Sequence, residues 1–133
     1  MKEKLLKLLE NSYSPYTKFR LAAILVTKDG KEFNGINVEN ASYSAGICAE
    51  RSAIVSAISN GYKKHDFEKL YVMCDNEKIG MPCMVCRQVI IEFFENDKEI
   101  IAMNPNGETI THTVSELCPY PFNEDDLKWN QDL

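Results

Sequence analysis

Two rhythms of apolar and polar residues alternate along this chain. Lys2 to Glu10 sets Leu5, Leu6, Leu8 and Leu9 among Lys2, Lys4, Lys7 and Glu10, which is one apolar stripe at helical spacing. Asn11-Ser12-Tyr13-Ser14-Pro15 supplies turn formers and a proline that close the helix. Leu21 to Thr27 is an almost unbroken apolar run and predicts a strand buried on both faces. Lys28-Asp29-Gly30-Lys31 reads as a hairpin turn, and Glu32 to Asn37 as the returning strand. From Cys48 to about Asn60 the helical rhythm returns, with Ala49, Ala53, Ala57, Ile54 and Ile58 on a narrow face suited to close packing, and Gly61 terminates it. Phe67 to Cys74 predicts a third strand. A second long helix starts at Cys83 and runs through Val89, Ile90, Ile91, Phe93 and Phe94. Strands follow over Lys98 to Met103 and Glu108 to Thr113, separated by the turn Asn104-Pro105-Asn106-Gly107. Thr113-Val114-Ser115-Glu116 has the form of a capping box opening a short helix, and an irregular tail follows from Cys118. Strands interleaved with helices predict a mixed α/β layer structure.

Length and charge narrow the possibilities. At 133 residues the chain is expected to form one domain, 1–133, able to bury a core without disulfides. The net charge of −5 and the lack of a basic stripe argue against a nucleic-acid partner. Lys63-Lys64-His65 is followed at once by Asp66 and Glu68 and reads as a solvated helix end. No apolar run approaches the roughly 18–20 residues needed to span a bilayer, so no membrane role is expected. Met1-Lys2-Glu3-Lys4 opens a charged amphipathic segment and not a secretory signal. The expected compartment is the reducing cytoplasm. There, five cysteines point to metal or catalysis before disulfides.

The chemistry concentrates in Cys48-Ala49-Glu50-Arg51 and Pro82-Cys83-Met84-Val85-Cys86-Arg87-Gln88. Cys83 and Cys86, three apart at a helix start, share a face and can reach one ion. Cys48, Cys83 and Cys86 could hold one Zn²⁺ per chain and leave its fourth position open, as in catalytic rather than structural zinc sites. Glu50 would then be free to handle protons. Three thiolates leave such a site with an excess negative charge. Arg51, and less directly Arg87, could relieve it by donating to sulfur. A structural zinc module would need a fourth ligand that the motifs do not offer. A thioredoxin-like redox protein would leave Cys48 unused. Cys74 and Cys118 read as small buried apolar residues, and His65 and His112 fall in no metal motif.

The pattern (His or Cys)-x-Glu with a later Pro-Cys-x-x-Cys is shared by zinc-dependent deaminases. Together with Ser14-Pro15-Tyr16-Thr17-Lys18-Phe19, Asn37-Val38-Glu39-Asn40-Ala41-Ser42-Tyr43 and Thr113-Val114-Ser115-Glu116-Leu117, it makes the chain resemble the small homotetrameric cytidine deaminases from about Ser12 to Leu127. The resemblance implies an α/β/α fold of three layers around a five-stranded mixed sheet. It implies hydrolysis of cytidine and deoxycytidine to uridine, deoxyuridine and ammonia in pyrimidine salvage. A zinc-bound hydroxide would attack C4 while Glu50 shuttles protons. Spacing alone makes Phe19 a loop anchor and Asn37 and Glu39 a polar strand end; the resemblance makes Phe19 a wall for the nucleoside and gives Asn37 and Glu39 the ribose. It adds Ala49 and Tyr43 to the substrate-binding set, Tyr43 at subunit contacts near the site. Phe122, by itself a plausible core plug, becomes an aromatic reaching a neighbouring subunit's site in a homotetramer. Met84 and Val85 replace smaller residues usual in the family, and are expected either to narrow the pocket or to pack inward. RNA editing, deoxycytidylate and antibiotic deamination fit less well. The acidic balance disfavours a polynucleotide, Glu39 would repel a phosphate, and the match around Asn37 to Tyr43 favours the free nucleoside.

Overall fold

The structure is a computed structural model describing residues 1–128. The last five residues of the expected domain lie outside the described residues. Among the described residues the α-helices and strands are, in order, α1 (Lys2–Leu9), β1 (Leu21–Thr27), β2 (Glu32–Ile36), α2 (Ala49–Ser59), β3 (Phe67–Cys74), α3 (Met84–Phe93), β4 (Glu99–Met103), β5 (Thr109–Thr113) and α4 (Val114–Leu117). The five strands form one sheet in the order β2-β1-β3-β4-β5. Pairing is antiparallel except between β3 and β4, which makes the sheet mixed.

The unbroken apolar run of β1 is explained by what covers each face. Ala22 and Ile24 point to one side with Met73 and Met103, where Leu5 and Leu9 of α1 cover them. Ala23 and Leu25 point to the other with Leu70, Val72 and Ile100, against Ala53, Ile54 and Ala57 of α2 and Ile90 of α3. Strand side chains alternate, so a strand between two helical layers needs apolar residues at every position. The expected three-layer architecture is the one found. Fully burying Leu5 and Leu9 is worth about 2 kcal/mol each, which is what ties α1 to the sheet.

The β1–β2 hairpin turns at Gly30, whose φ of 88° suits a residue without a Cβ. At β2 a different device is at work. A Cβ on Gly35 would lie 2.2 Å from the Ala49 carbonyl oxygen and 2.5 Å from the Ala53 nitrogen, so α2 rests directly on the strand backbone. The expected capping box is present: Thr113 accepts from the Glu116 amide, and the Glu116 side chain accepts from the Thr113 amide.

Some boundaries differ from expectation. β2 ends at Ile36, one residue early, because Asn37 turns its side chain onto neighbouring backbone. Cys48 and Cys83 stand just outside their helices as N-caps with extended backbone. The Lys63-Lys64-His65 cluster lies beyond the helix it was expected to end, since α2 stops at Ser59 and Gly61 takes φ 94°. Lys64 pairs there with Glu124 and Glu92. Among the described residues no helix is long and apolar enough to cross a membrane.

Candidate metal centre and substrate cavity

The N-termini of α2 and α3 converge beside the end of β3. Cys48 caps α2, Cys83 caps α3, and Cys86 lies one turn into α3. Their three sulfurs all lie within 4.8 Å of one another, the one such metal-ligating cluster among the described residues. The edge of a tetrahedron with Zn–S bonds of about 2.3 Å is about 3.8 Å, so small side-chain shifts would close the thiols on one ion. Neither capping cysteine spends its side chain on a capping hydrogen bond. Two helix dipoles present their positive ends to the sulfurs and favour thiolate. The donor set fits zinc, and it leaves one coordination position for a non-protein ligand.

The thiols are electrostatically unlike. Cys48 is pulled down to about 5, first by a hydrogen bond from Cys86, then by hydrogen bonding to and the charge of Arg51. Cys86 moves the opposite way because it supplies that proton and is buried. Nη2 of Arg51 lies 3.6 Å from the Cys48 sulfur, the contact expected of it. Arg87 does something else: it donates to the carbonyls of Pro82 and Leu117 at 2.8 and 3.1 Å. It braces the α3 start against the α4 end, because neighbours in a helix point about 100° apart and Arg87 therefore turns away from the sulfurs.

Glu50 stands beside the thiols as a buried carboxyl. It is 3% exposed, and its Oε1 has no hydrogen bond. Burial raises its carboxyl to about 7, with the neighbouring Cys48 charge acting in the same direction. An unsatisfied buried carboxyl is costly, and one titrating near neutrality is suited to moving protons.

Glu50, Cys48, Cys83 and Arg51 line a cavity of about 580 Å³. Tyr16, Thr17, Phe19, Asn37, Glu39 and Tyr43 also line it. Asn37 is 6% exposed and largely engaged with the chain itself. Its Oδ1 accepts from the Leu21 amide at 2.9 Å and from the Ser12 hydroxyl, and its Nδ2 donates to the Phe19 carbonyl at 2.7 Å. One N–H remains for a ligand. Glu39 accepts from the amides of Tyr16 and Thr17 at 2.9 and 3.1 Å and from the Thr17 hydroxyl. Ala49 is buried at the α2 start, in the turn that carries Glu50.

Phe122, Met84, Val85, Cys74 and Cys118 complete the placement of the residues to which the sequence points. Phe122 is 57% exposed and is not among the cavity-lining residues of its own chain; its carbonyl accepts from Gln88. Met84 and Val85 are 70% and 58% exposed, so they neither narrow the cavity nor pack inward. Cys74 is buried as expected, yet it also lines the cavity, and a Cβ on Gly80 would approach its sulfur to 2.7 Å. Cys118 is only half-buried. Neither Thr17 nor Gly35 carries a signal in the sequence for the contact it makes.

A buried proton-handling carboxyl next to three clustered thiols is equipment for metal-assisted hydrolysis. The sequence model of the cytidine and deoxycytidylate deaminase zinc-binding region matches residues 1–104. Over 123 residues the chain is 39% identical to the cytidine deaminase of Sporosarcina psychrophila, covering 92% of this chain and 89% of that protein. Over 118 residues it is 39% identical to the cytidine deaminase of Halalkalibacterium halodurans, covering 89% and 88%. The crystal structure of cytidine deaminase from Burkholderia pseudomallei superposes with a TM-score of 0.86 at 39% identity, covering 90% of this chain and 94% of that one. The chain belongs to the cytidine and deoxycytidylate deaminase zinc-binding family.

Proposed function

We propose that this chain is a cytidine deaminase of one domain, which hydrolyses cytidine and deoxycytidine to uridine and deoxyuridine with release of ammonia. The observation that carries the reading is the buried Glu50 carboxyl, one oxygen of it without a partner, on the wall of the same cavity as Cys48 and Cys83 of the three-thiol cluster. Cys48, Cys83 and Cys86 would hold one Zn²⁺. When bound, zinc acidifies water so that a strong nucleophile is available at neutral pH. Glu50 takes one proton from water and delivers it to N3 of the ring as the C4–O bond forms; it then takes the second proton, from the hydroxyl added at C4, and delivers it to the amino group as the C4–N bond breaks and ammonia leaves. A carboxyl near 7 can both take and return each proton. Arg51 donates to the Cys48 sulfur and moderates the excess negative charge of three thiolates.

On the same cavity wall, Glu39 and the free N–H of Asn37 would meet the sugar, with Phe19 as an apolar wall and Ala49 and Tyr43 completing the substrate contacts. A neutral nucleoside suits this wall better than a nucleotide, because Glu39 would repel a phosphate. A homotetramer is part of the reading. Tyr43 is 94% and Phe122 57% exposed, and aromatic residues of this kind favour burial at an interface. Phe122 would then serve a neighbouring chain's site. A reducing, cytoplasmic setting agrees with five unpaired cysteines. Glu50→Ala should abolish turnover while zinc stays bound at one per chain. Turnover close to wild type would remove Glu50 from the mechanism. Cys83→Ser should lose metal instead, and full occupancy would contradict its role as a ligand. Light scattering should give four times the chain mass, and a monomer would exclude shared sites.

A further inference from the structure

The segment Tyr16–Phe19 holds a hydroxyl with two duties. Thr17 Oγ1 donates its proton to Glu39 Oε2. The same oxygen accepts the Phe19 amide at 3.0 Å. Backbone amides of Tyr16 and Thr17 occupy Glu39 Oε1. A carboxylate offers about four acceptor sites, so three are filled and one, on Oε2, is left for a ligand. The backbone between Thr17 and Phe19 is bent hard. Lys18 takes φ 64°, a left-handed conformation that a lysine adopts only where its surroundings hold it there. Its amide is tied to the Ser14 carbonyl at 3.0 Å.

We propose that Thr17 is a positioning residue: its hydroxyl locks the Glu39 carboxylate and the Phe19 wall into one fixed relation before substrate enters. This rests on the proposed sugar role of Glu39 and wall role of Phe19. Without the hydroxyl, the Oε2 oxygen loses its tether, the Phe19 amide loses its acceptor, and the strained turn has less to hold it. Pre-set groups of this kind spare the complex the cost of ordering them. The lowered pKa of Glu39, with the Thr17 hydrogen bond as its first cause, agrees with a carboxylate held charged in place.

The test is steady-state kinetics of the zinc-loaded wild type, Thr17→Val and Thr17→Ser on cytidine and on 2′,3′-dideoxycytidine, which lacks the sugar hydroxyls that could reach Glu39. Thr17→Val keeps shape but loses donor and acceptor, and should lower kcat/KM on cytidine roughly tenfold, mostly through KM. Thr17→Ser restores the hydroxyl and should stay within about twofold of wild type. On dideoxycytidine the valine penalty should shrink to about twofold or less, because Glu39 has no hydroxyl to hold. Three results would overturn the proposal: a valine variant equal to wild type on cytidine, a serine variant as poor as valine, or equal valine losses on both substrates. A wild type inert on cytidine would instead overturn the proposed function, and Thr17's role with it.

Discussion

Gly35 is the position where a single methyl group should do most harm without touching the chemistry. Its ideal Cβ would fall 2.2 Å from the Ala49 oxygen, 2.5 Å from the Ala53 nitrogen and 3.0 Å from the Ala53 Cβ. Ordinary non-bonded carbon contacts are about 3.5 Å or longer. The first turn of α2 would have to retreat by roughly 1 Å. The opposing atoms are backbone and cannot rotate away, so the cost of Gly35→Ala should sit at the top of the overpacking range, about 3 kcal/mol. For a chain of this length that is a fall in Tm of about 10 °C. The same turn carries Glu50, and Cys48 caps it. A misplacement of about 1 Å at a reacting group costs on the order of 10²-fold in rate. Thermal unfolding, zinc content and kcat/KM of the purified variant measure the three effects separately. An alanine variant with wild-type Tm and activity would refute the reasoning, because the helix would then have room that the structure denies it.

Other predictions concern single groups. Burial holds Glu50 near 7 against an ordinary value of 4.5, so the folded chain keeps a proton that the unfolded chain gives up between those values. Stability from this group is therefore present at low pH and lost as pH rises through that window. In metal-free protein, Glu50→Gln should gain about 3 kcal/mol relative to wild type between about pH 4 and pH 8, measured by urea unfolding; a constant difference would contradict the buried carboxyl. Thr113→Ala breaks the capping box of α4 and should cost about 1 kcal/mol with kcat unchanged, since Thr113 lines no part of the cavity. No loss of stability would mean the cap is idle. Arg87→Lys cannot reach both carbonyls that the guanidinium bridges, and should lower Tm while leaving zinc bound. Loss of zinc in that variant would return Arg87 to the metal site.

The thiols and Glu50 were readable in the sequence because each residue type carries its own chemistry and the helix rhythm put them at helix starts. The layers were readable for a similar reason: Leu21 to Thr27 has no polar position to offer solvent, so both faces had to be covered. What stayed hidden depends on contacts between distant segments. Arg87 adjoins Cys86 in sequence but points away around the helix to the Leu117 carbonyl. Asn37 reads as a ligand group, yet the fold assigns most of its amide to Ser12, Phe19 and Leu21. The approach of Gly35 to Ala49 leaves no local trace, because a glycine in a strand is equally compatible with a bulge or a plain surface. Thr17 looks like any turn threonine until Glu39 is folded over it. The outward exposure of Met84 and Val85 is a matter of helix phase, which residue size does not reveal.

The central claim is tested most directly by following conversion of cytidine to uridine by ultraviolet absorbance with purified protein carrying one zinc per chain. The account predicts turnover with ammonia released one for one, abolished by a chelator and restored by zinc. Zinc-loaded, folded protein that leaves cytidine and deoxycytidine untouched would contradict it.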